Sequence, residues 1–457
     1  MRNQLWILTL LLFLTLTGCQ DRHDNNGEEA SGVFVKDVVE HLNREVPELQ
    51  KEQHVPAVGV GLIDGGKVVS ARVYGEHQLG HPAPDNAIFN VASIAKTVTA
   101  MTVLRLVDEG LWSLDEPLAK YWIDPDLVDD SLLTHLTTRH VLTQTTGFKN
   151  WRNMSDSGKL AFDFVPGTSY QYSGEGMEYL RKAVEGKFGK DWGRLTDSLL
   201  FEPLRLRDAT LNWISDNDTV RFAKWYDGEG KEYTTADYRT SDASAADDLL
   251  ITVRDLADFG IAVMDTVLLS GELYEEMVEP QIAIHGNASQ GLGWTVINNL
   301  PGDAYALNHD GGDIGVAATL ILLPKTRSGV IVLANGDNGR TICNAVVKSV
   351  LPFGRQLVQK LYWGGEIPSV ITIDTAILNT YAGTYKTNQG TELSFLPRDN
   401  ALKISGVGVP GVEIYPRSQT EFFPTDFEVF FEFTATAEGV TFRLMSQGKD
   451  ILNGTRL

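Results

Sequence analysis

The sequence predicts an α/β layered domain followed by a small all-β C-terminal domain. Two observations support this fold class. First, apolar runs of β-forming residues occur in residues 57–75 and again in residues 316–334, while the segment between them has mostly helical patterns. Second, the chain beyond Pro368 contains short alternating or aromatic runs separated by Gly, Pro, Asn and Asp. We therefore expect one sheet, assembled from distant segments and covered by helices, and then a separate β structure.

The first predicted strands form a hairpin. Residues 57–75 contain two apolar runs, and between them lies Asp64-Gly65-Gly66-Lys67, a composition typical of a tight turn. Gly59 and Gly61 lie in the first of these runs without a phosphate-binding pattern, and we interpret them as strand glycines packed under a helix. An amphipathic helix is predicted before the hairpin, beginning near Val33.

Helices are predicted in the middle third, where apolar positions recur with helical spacing between Gly and Pro residues. The predicted helices are Val98 to Asp108, Gly176 to Glu185 and Thr252 to Met264. Strands return at Val316 to Leu323 and Val330 to Ala334, with a turn between them. The first folded domain is expected to span residues 33–363.

The C-terminal domain is predicted to be a small barrel or sandwich of residues 370–457. Its strand candidates are Tyr381 to Tyr385, Glu392 to Leu396 and Glu428 to Phe433. We place the boundary between the two domains at Gly364 to Ser369.

The composition is that of a globular protein. Of the 457 residues, 43% are hydrophobic and 22% are charged. Asp and Glu number 60 against 39 Lys and Arg, which gives a net charge of -21. Nucleic acid requires a basic surface that neutralises phosphates. The acidic balance therefore argues against a nucleic-acid partner, and we interpret it as surface solvation.

The N-terminus is predicted to carry a secretory signal peptide of residues 1–18. Arg2 precedes an apolar run from Leu5 to Leu16, which is too short to span a bilayer as a helix. The following Leu16-Thr17-Gly18-Cys19 resembles the lipobox of bacterial lipoproteins, which implies cleavage before Cys19 and acylation of that residue. An ordinary signal peptide with an unmodified cysteine is the alternative.

The lipobox resemblance implies an exported protein of the bacterial cell envelope, anchored by lipid at the periplasmic or outer-membrane face. Residues 19–32 are polar and acidic, and we expect them to form a flexible tether. Cys343 is the only other cysteine. If Cys19 is acylated, the chain therefore has no intramolecular disulfide.

Ser93 and Lys96 form the clearest chemical motif. Residues three apart lie on one face of a helix, so the amine can reach the hydroxyl if a helix begins near Ser93. A hydroxyl becomes a strong nucleophile when a neighbouring base accepts its proton, and a desolvated lysine has its pKa lowered towards that role. A helix N-terminus would also surround Ser93 with backbone N–H donors. A Ser and a Lys three residues apart also occur by chance, so this motif alone does not identify a catalytic site, and further motifs are needed.

The segment Phe89 to Lys96 resembles the first motif of the serine β-lactamase and penicillin-binding-protein superfamily, in its class C β-lactamase, D,D-peptidase and esterase branch. Further segments follow in that family's order, namely residues 139–148, 166–174, 201–204, 290–294 and 309–312. The resemblance spans about residues 33–351. It implies a β-lactamase-like antiparallel sheet flanked by helices with a mostly helical subdomain. The C-terminal domain resembles the lipocalin-like appendage of some members, which implies that it could wall the cleft.

The second motif of the family is Tyr-x-Asn, and Tyr172 matches its tyrosine. The resemblance implies that Tyr172 shuttles protons at Ser93, and whether Lys96 or Tyr172 is the base in acylation stays open. Gly174 stands where β-lactamases usually have Asn. Since that Asn orients the substrate amide, its replacement argues against efficient β-lactam hydrolysis.

The third motif is matched by His309-Asp310-Gly311, in place of the usual Lys-Thr-Gly. The resemblance implies that Gly311 and Gly312 let substrate pass along the strand and that the Gly312 N–H joins the Ser93 N–H as an oxyanion hole. His309 is expected to titrate near neutral pH and so to bind a substrate carboxylate in a pH-dependent way.

Two other patterns are not interpreted as sites. Lys325-Thr326 is followed by Arg327 in a predicted turn. His77 and His81 are separated by Gly80 and lack a helical zinc-site pattern. We therefore expect no metal and no cofactor.

The resemblance implies a serine hydrolase that forms an acyl-enzyme on a small-molecule or peptide substrate. D-amino-acid peptides or small esters are the preferred substrates. A class C-type β-lactamase is one alternative, and a non-catalytic penicillin-binding or scaffold protein is another. The oligomeric state is left open.

Overall fold

The structure, a computed structural model, describes residues 26–212, 220–234, 242–363, 366–406, 412–446 and 449–457, with side chains from residue 36 onward. The predicted signal peptide, Cys19 and the first part of the predicted tether lie outside the described residues.

Eleven α-helices occur in the described part of the chain. They are α1 Asn26–Gln53, α2 Ala95–Asp108, α3 Thr138–Leu142, α4 Gly174–Phe188, α5 Trp192–Thr196, α6 Glu202–Leu204, α7 Val253–Met264, α8 Gly271–Val278, α9 Gly339–Val350, α10 Gly354–Tyr362 and α11 Thr375–Tyr381. The first helix begins at Asn26, earlier than the predicted start near Val33, so residues 26–32 are helical where a tether was expected. Glu28, Glu29 and Ala30 are good helix formers, which favours this extension.

The strands divide between a large sheet, a two-stranded sheet and a barrel. They are β1 Ala57–Asp64, β2 Lys67–Gln78, β3 His81–Pro82, β4 Ile88–Asn90, β5 Leu250–Thr252, β6 Ile282–His285, β7 Ala288–Gln290, β8 Thr295–Leu300, β9 Ala304–Asp313, β10 Val316–Leu323, β11 Ser328–Ala334, β12 Gly383–Thr387, β13 Glu392–Arg398, β14 Ala401–Gly406, β15 Glu413–Pro416, β16 Glu421–Phe423, β17 Phe430–Thr436, β18 Gly439–Ser446 and β19 Lys449–Arg456.

The large sheet has nine strands in the order β3-β2-β1-β11-β10-β9-β8-β7-β6. All neighbouring strands are antiparallel, and β1 pairs with the distant β11 in a register that places Val60 opposite Val332. The sheet therefore joins strands from the beginning and the end of the domain, as the sequence predicted. The predicted α/β fold class is confirmed.

Helices cover both faces of this sheet because its central strands are apolar on both sides. On β10, Leu320 and Leu322 pack into the core that contains α2 and α7, while Ile321 and Leu323 pack into the core that contains α9 and α10. Successive strand side chains point to opposite faces, which explains this alternation. A Cβ on Gly59 would meet Val253 of α7 at 2.4 Å, so this strand glycine does pack under a helix.

Helix α2 crosses the core and carries Lys96 near its first turn. Eleven of its side chains are buried, including Lys96 itself. Gly293 packs directly on this helix, since a Cβ there would lie 2.2 Å from the Ala100 Cβ, and its φ of 85° lies in the left-handed region that favours glycine. The position of α2 is therefore set by close backbone contact as well as by apolar packing.

A mostly helical subdomain lies between α2 and β5 in the chain. Its longest helix, α4, begins with Ser173 as N-cap, whose Oγ accepts the Gly176 N–H at 3.0 Å. It ends at Phe188 and is capped by Gly189, which has a φ of 62° in the left-handed region. The start of α4 follows Tyr172 directly, so the cap fixes where the second motif ends.

The C-terminal domain is a closed antiparallel barrel of eight strands, β12 to β19. It is closed by pairing between β12 and β19, for example Tyr385 opposite Arg456. Its interior is aromatic, and the buried rings are Tyr385, Phe395, Phe422, Phe431, Phe433 and Phe442. Of the barrel and the sandwich predicted for this region, the barrel is the one that forms. Among the helices of the described residues, none combines the length and apolar character needed to cross a membrane.

Candidate active site

Ser93 lies in a short 3-10 turn, Ala92–Ile94, directly before α2. Every residue from Ala87 to Leu104 is buried except Ser93, which solvent partly reaches. Ala92 has a φ of 45°, a conformation that costs a non-glycine residue on the order of 1–3 kcal/mol. The Asn90 Oδ1 accepts the Ala92 N–H at 2.7 Å. The turn therefore holds Ser93 at the surface of an otherwise buried segment.

Lys96 reaches back along the helix to Ser93. Its Nζ lies 3.0 Å from the Ser93 Oγ and 2.7 Å from the backbone oxygen of Ala246, and the residue is only 1% exposed. The predicted helical spacing thus brings the amine and the hydroxyl into hydrogen-bonding contact. The second partner, a carbonyl from a distant loop, fixes the direction of the amine.

The loop that supplies this carbonyl is held by α4. The Glu178 Oε1 accepts the Ser244 hydroxyl at 2.8 Å, the Ala245 N–H at 2.8 Å and the Ala246 N–H at 3.2 Å. The loop is also tied to α2, because Thr99 Oγ1 donates to the Ala245 oxygen at 2.7 Å. Glu178 therefore fixes the position of the Ala246 carbonyl that accepts the hydrogen bond of Lys96.

The electrostatic state of Lys96 follows from its burial. Desolvation lowers the pKa of Lys96 to about 8, although the nearby carboxylates of Asp247 and Glu178 act in the opposite direction. Desolvation likewise raises the pKa of the Asp247 carboxyl, and the Lys96 ammonium opposes that shift. The amine is therefore neutral in a larger fraction of molecules at neutral pH than an ordinary lysine.

Tyr172 packs beside this pair. The Lys96 Nζ lies 4.8 Å from the centroid of the Tyr172 ring, and the ring centroids of Tyr172 and His309 are 6.3 Å apart. Burial raises the pKa of the Tyr172 phenol, a hydrogen bond with Ser93 opposes this shift, and Asp247 and Asp310 add to it. The phenol is therefore protonated at neutral pH. The structure brings together Ser93, Lys96, Tyr172 and His309.

His309 lies on β9 and is 8% exposed. Its Nδ1 donates to the Asp310 backbone oxygen at 2.8 Å, which places the proton of the neutral ring on Nδ1. Burial and the charge of Lys96 lower the pKa of His309 to about 4. The expectation that His309 titrates near neutral pH is therefore wrong, because desolvation removes the charged form. Above that pH the ring contributes no positive charge for a substrate carboxylate.

The two glycines of the third motif have different surroundings. A Cβ on Gly311 would lie 2.0 Å from the Val91 oxygen, so this position is filled by the turn that carries Ser93 and leaves no room for substrate. Nothing lies within 4 Å of a Cβ on Gly312. Beyond Asn308, residues 309–313 pair with β10 only, because β8 ends its pairing at Asn308. The expectation that both glycines leave room for substrate is therefore wrong at Gly311, whereas the space beside Gly312 is open.

Gly174 lies at the first position of α4, and its N–H donates to the Asn150 Oδ1 at 2.8 Å. A Cβ at this position would lie 2.7 Å from the indole ring of Trp151. The space for a side chain at Gly174 is therefore occupied by Trp151. An amide side chain, as in the family's second motif, has no room here without a shift of the indole.

A cleft of about 250 Å³ opens beside Tyr172 and His309. Its other walls come from β6, β7, β8 and the end of α10, where Leu361 and Tyr362 line it. All its lining residues belong to the first domain, so no barrel residue that the structure describes walls this cleft. Two larger recesses, of about 760 and 970 Å³, are lined by residues of other regions. Neither Ser93 nor Lys96 lines any of these three spaces, and the 250 Å³ cleft is the one that reaches Tyr172 and His309.

Several groups of the site were not found from the sequence. These are Glu178, the Ala246 carbonyl and Asp247. The sequence did contain one signal for Asp247. It is followed by a second carboxylate, Asp248, just before a buried apolar strand, and charged residues are rarely buried unless they are paired. Backbone carbonyls and capping carboxylates have no comparable signature in a sequence.

The two patterns that were not interpreted as sites belong to strands and turns of the large sheet. Lys325-Thr326 is in the turn between β10 and β11, and the Lys325 Nζ donates to the Gly302 oxygen. His77 and His81 lie on β2 and β3 with ring centroids 6.3 Å apart. Within the residues that the structure describes, no three His, Cys, Asp or Glu side chains are placed to hold a metal ion.

An antiparallel sheet with a helical subdomain, and a serine one helical turn from a buried lysine at their junction, define the class of serine β-lactamases and penicillin-binding proteins. The chain belongs to the β-lactamase family, since the model of the family described as Beta-lactamase matches residues 42–348.

Relatives extend this comparison along most of the chain. Penicillin-binding protein 4* of Bacillus subtilis (strain 168) is 24% identical over 414 residues, which cover 81% of this chain and 88% of that protein. Esterase EstB of Burkholderia gladioli is 27% identical over 212 residues, or 40% of this chain and 53% of the esterase. The chain therefore matches about half the length of that esterase.

A solved structure shares the fold, including most of the C-terminal region. The octameric penicillin-binding protein homologue from Pyrococcus abyssi has a TM-score of 0.61 and 20% sequence identity, and the match covers 92% of this chain and 100% of that chain.

The contacts of Glu178 predict two separable effects. Glu178→Ala leaves the Ala245 N–H and the Ser244 hydroxyl without their acceptor, whereas the Ala246 N–H keeps the Ser244 Oγ at 3.2 Å. Each buried donor left unpaired costs about 1–3 kcal/mol, so the free energy of unfolding should fall by about 2 kcal/mol or more. Glu178→Gln keeps an accepting oxygen but removes a negative charge near Lys96, so the pKa of Lys96 should fall further. Denaturant unfolding and the pH dependence of Lys96 acetylation, followed by mass spectrometry, measure the two effects.

Glu185→Gln is the matched control for the charge effect. Glu185 lies on the same helix and pairs with Arg181, as Glu178 does, but makes no contact with the 244–246 loop. Its replacement should leave the pKa of Lys96 unchanged. An equal shift of the Lys96 pKa in both variants would contradict the assignment of the charge effect to Glu178.

Proposed function

We propose that the protein is a serine hydrolase that forms an acyl-enzyme at Ser93 and acts on amide or ester substrates. The observation that carries the proposal is the 3.0 Å contact between the Lys96 Nζ and the Ser93 Oγ, at a position where Ser93 is reached by solvent and Lys96 is buried. Membership of the β-lactamase family supports the same reaction class.

In the proposed acylation step the Ser93 oxygen attacks the acyl carbon and its proton passes to the Lys96 amine. The bond to the leaving group then breaks, and the leaving alcohol or amine takes up a proton, either directly from the Lys96 ammonium or from Tyr172, which in turn regains its proton from Lys96. Water attacks the acyl-enzyme in the second step, releases the acid and restores the Ser93 hydroxyl. The backbone N–H groups of Ser93 and Gly312 are the proposed donors to the oxyanion.

The directions of the two pKa shifts favour Lys96 as the base for acylation. Burial lowers the pKa of Lys96 to about 8, which makes the neutral amine accessible. Burial raises the pKa of Tyr172, which disfavours the phenolate. Tyr172 is therefore assigned as the proton donor to the leaving group rather than as the first acceptor.

D-amino-acid peptides or small esters are the proposed substrates. The neutral His309 and the indole of Trp151 beside Gly174 both weaken the case for β-lactams, because neither a fixed cation nor an orienting amide is present at those two positions. The relatives named as a penicillin-binding protein and an esterase support the acyl-transfer class of reaction.

We further propose that the protein is exported and anchored to the bacterial cell envelope by acylation of Cys19. The support is the sequence Leu16-Thr17-Gly18-Cys19 after an apolar run. Several buried acyl chains would hold the chain at the membrane, since each buried CH₂ contributes about 0.8 kcal/mol.

A covalent adduct at Ser93 is the first expected outcome. Intact-mass spectra of the protein treated with a fluorophosphonate, p-nitrophenyl esters, D-Ala peptides and penicillins should show an acyl or phosphonyl adduct that peptide mapping assigns to Ser93. Ser93→Ala should show none. A wild-type protein that stays unlabelled with every reagent would favour the non-catalytic alternative, and nitrocefin turnover as fast as ester hydrolysis would overturn the substrate preference.

The pH dependence of acylation distinguishes the two candidate bases. With an uncharged ester, the acylation rate should rise with pH and level off above about 8, because Lys96 loses its proton there. Tyr172→Phe should keep this midpoint and lower the rate by about 10²-fold, the usual contribution of an acid–base group. A rate that keeps rising beyond pH 10 in the wild type, measured by stopped flow, would instead assign the base role to Tyr172.

The lipid anchor predicts a defined mature mass. Protein produced in a bacterial host should be cut before Cys19, carry acyl chains and partition into the detergent phase. Cys19→Ser should remain in the aqueous phase with its folding unchanged. Detection of an unmodified Cys19 in the mature wild-type chain would contradict acylation.

A further inference from the structure

We infer that the C-terminal barrel supports the substrate-binding strand β9 through a hydrogen bond from Tyr362 to Asp310. Tyr362 is then a positioning residue, and the barrel is part of the support of the active site. This inference rests on the proposed function for its kinetic consequences, whereas the mechanical link stands on contacts alone.

The barrel docks on the end of α10. The ring of Trp363 packs against Phe423 and Phe430 of the barrel, with ring centroids 5.7 and 5.8 Å away. The Trp363 Nε1 donates to the Thr425 oxygen at 3.1 Å. Trp363 is 3% exposed, so this contact is a buried interface between the two domains. The loop between β16 and β17 is therefore fixed on α10.

Tyr362 connects this interface to the active-site strand. Its ring lies 5.7 Å from the ring of Phe427, which belongs to the same barrel loop. Its hydroxyl donates to the Asp310 Oδ2, and Asp310 immediately follows His309 on β9. Two consecutive contacts thus join the barrel to the strand that lines the cleft.

The strand needs such support because residues 309–313 have a strand neighbour on one side only, in β10. Asp310 compensates for the missing neighbour. Its Oδ1 accepts the Thr319 hydroxyl at 2.9 Å and pairs with Arg340 at 3.1 Å, and Arg340 also donates to the Gly311 oxygen at 2.7 Å. Tyr362 completes this network, and it is the member that the barrel contacts.

The consequence for catalysis follows from the position of Gly312, two residues beyond Asp310. Its N–H is the proposed oxyanion donor, so a small displacement of β9 acts on the transition state more than on substrate binding. Loss of the support should therefore lower kcat more than it raises KM. A purely structural role of the barrel would lower stability without this kinetic signature.

A double-mutant cycle in the full-length chain tests the link. Tyr362→Phe removes only the hydroxyl of Tyr362. Phe427→Ala removes the barrel ring that packs against Tyr362. If the Phe427→Ala variant does not fold, Phe427→Leu is used in its place. Each change should lower kcat/KM for a p-nitrophenyl ester by about tenfold, since misplacement of the reacting groups by a fraction of an ångström has effects of this order. The double variant should be no slower than Tyr362→Phe alone.

Lys403→Met is the matched control. Lys403 lies on the barrel and pairs with Glu52 of α1 at 3.0 Å, a contact between the domains that does not involve α10. This variant should keep the kinetic constants of the wild type. A similar kinetic loss in Lys403→Met would overturn the inference, because it would show a general effect of domain contact.

Hydrogen exchange of the peptide covering residues 304–313 gives a readout that needs no activity. Exchange at residues 309–313 should increase in the Tyr362 and Phe427 variants and stay unchanged in Lys403→Met. If the wild type is never acylated, the proposed function fails, and exchange still decides the inference. Unchanged exchange in both test variants, or kinetic effects that multiply in the double variant, would overturn it.

Discussion

The burial of one ammonium group is the constraint on which the rest of the site depends. A lysine removed from water is destabilised in its charged form unless polar groups surround it. Lys96 has two such partners, the Ser93 hydroxyl and the Ala246 carbonyl, and the same desolvation that is costly for folding lowers its pKa. The buried position of Lys96 therefore explains both its lowered pKa and the polar contacts that surround it. Any change that admits water beside Lys96 would alter both.

Four distant parts of the chain meet around this lysine. The turn before α2 supplies Ser93, the start of α4 follows Tyr172, the loop at residue 246 supplies a carbonyl, and β9 supplies His309. Two of these segments depend on outside support, because the turn is strained at Ala92 and the end of β9 lacks a second strand. Each is held by a polar contact from a neighbour. The site is thus an assembly of short segments whose precision depends on their mutual hydrogen bonds.

Much of this arrangement could be predicted from the sequence because its signals are local. The hairpin at residues 57–75 and the strands β10 and β11 have strong apolar patterns, and Ser93 and Lys96 are three residues apart. The short strands β6 and β7 have no such pattern, and their pairing is set by the sheet they join. The neutral state of His309 could not be predicted either, since burial is a property of the folded chain. The same holds for the contacts of Glu178 with residues 244–246, which lie more than sixty positions away along the chain.

The indole that fills the space beside Gly174 makes two positions interdependent. An asparagine at position 174 alone would collide with the ring, and a smaller residue at position 151 alone would lose the packing of the indole against the helix start. A path from this chain to the amide-bearing form of the family, or back, passes through an intermediate that is worse packed than either end. Substitutions at positions 174 and 151 are therefore expected to be coupled, because a side chain at position 174 needs the space that the indole occupies.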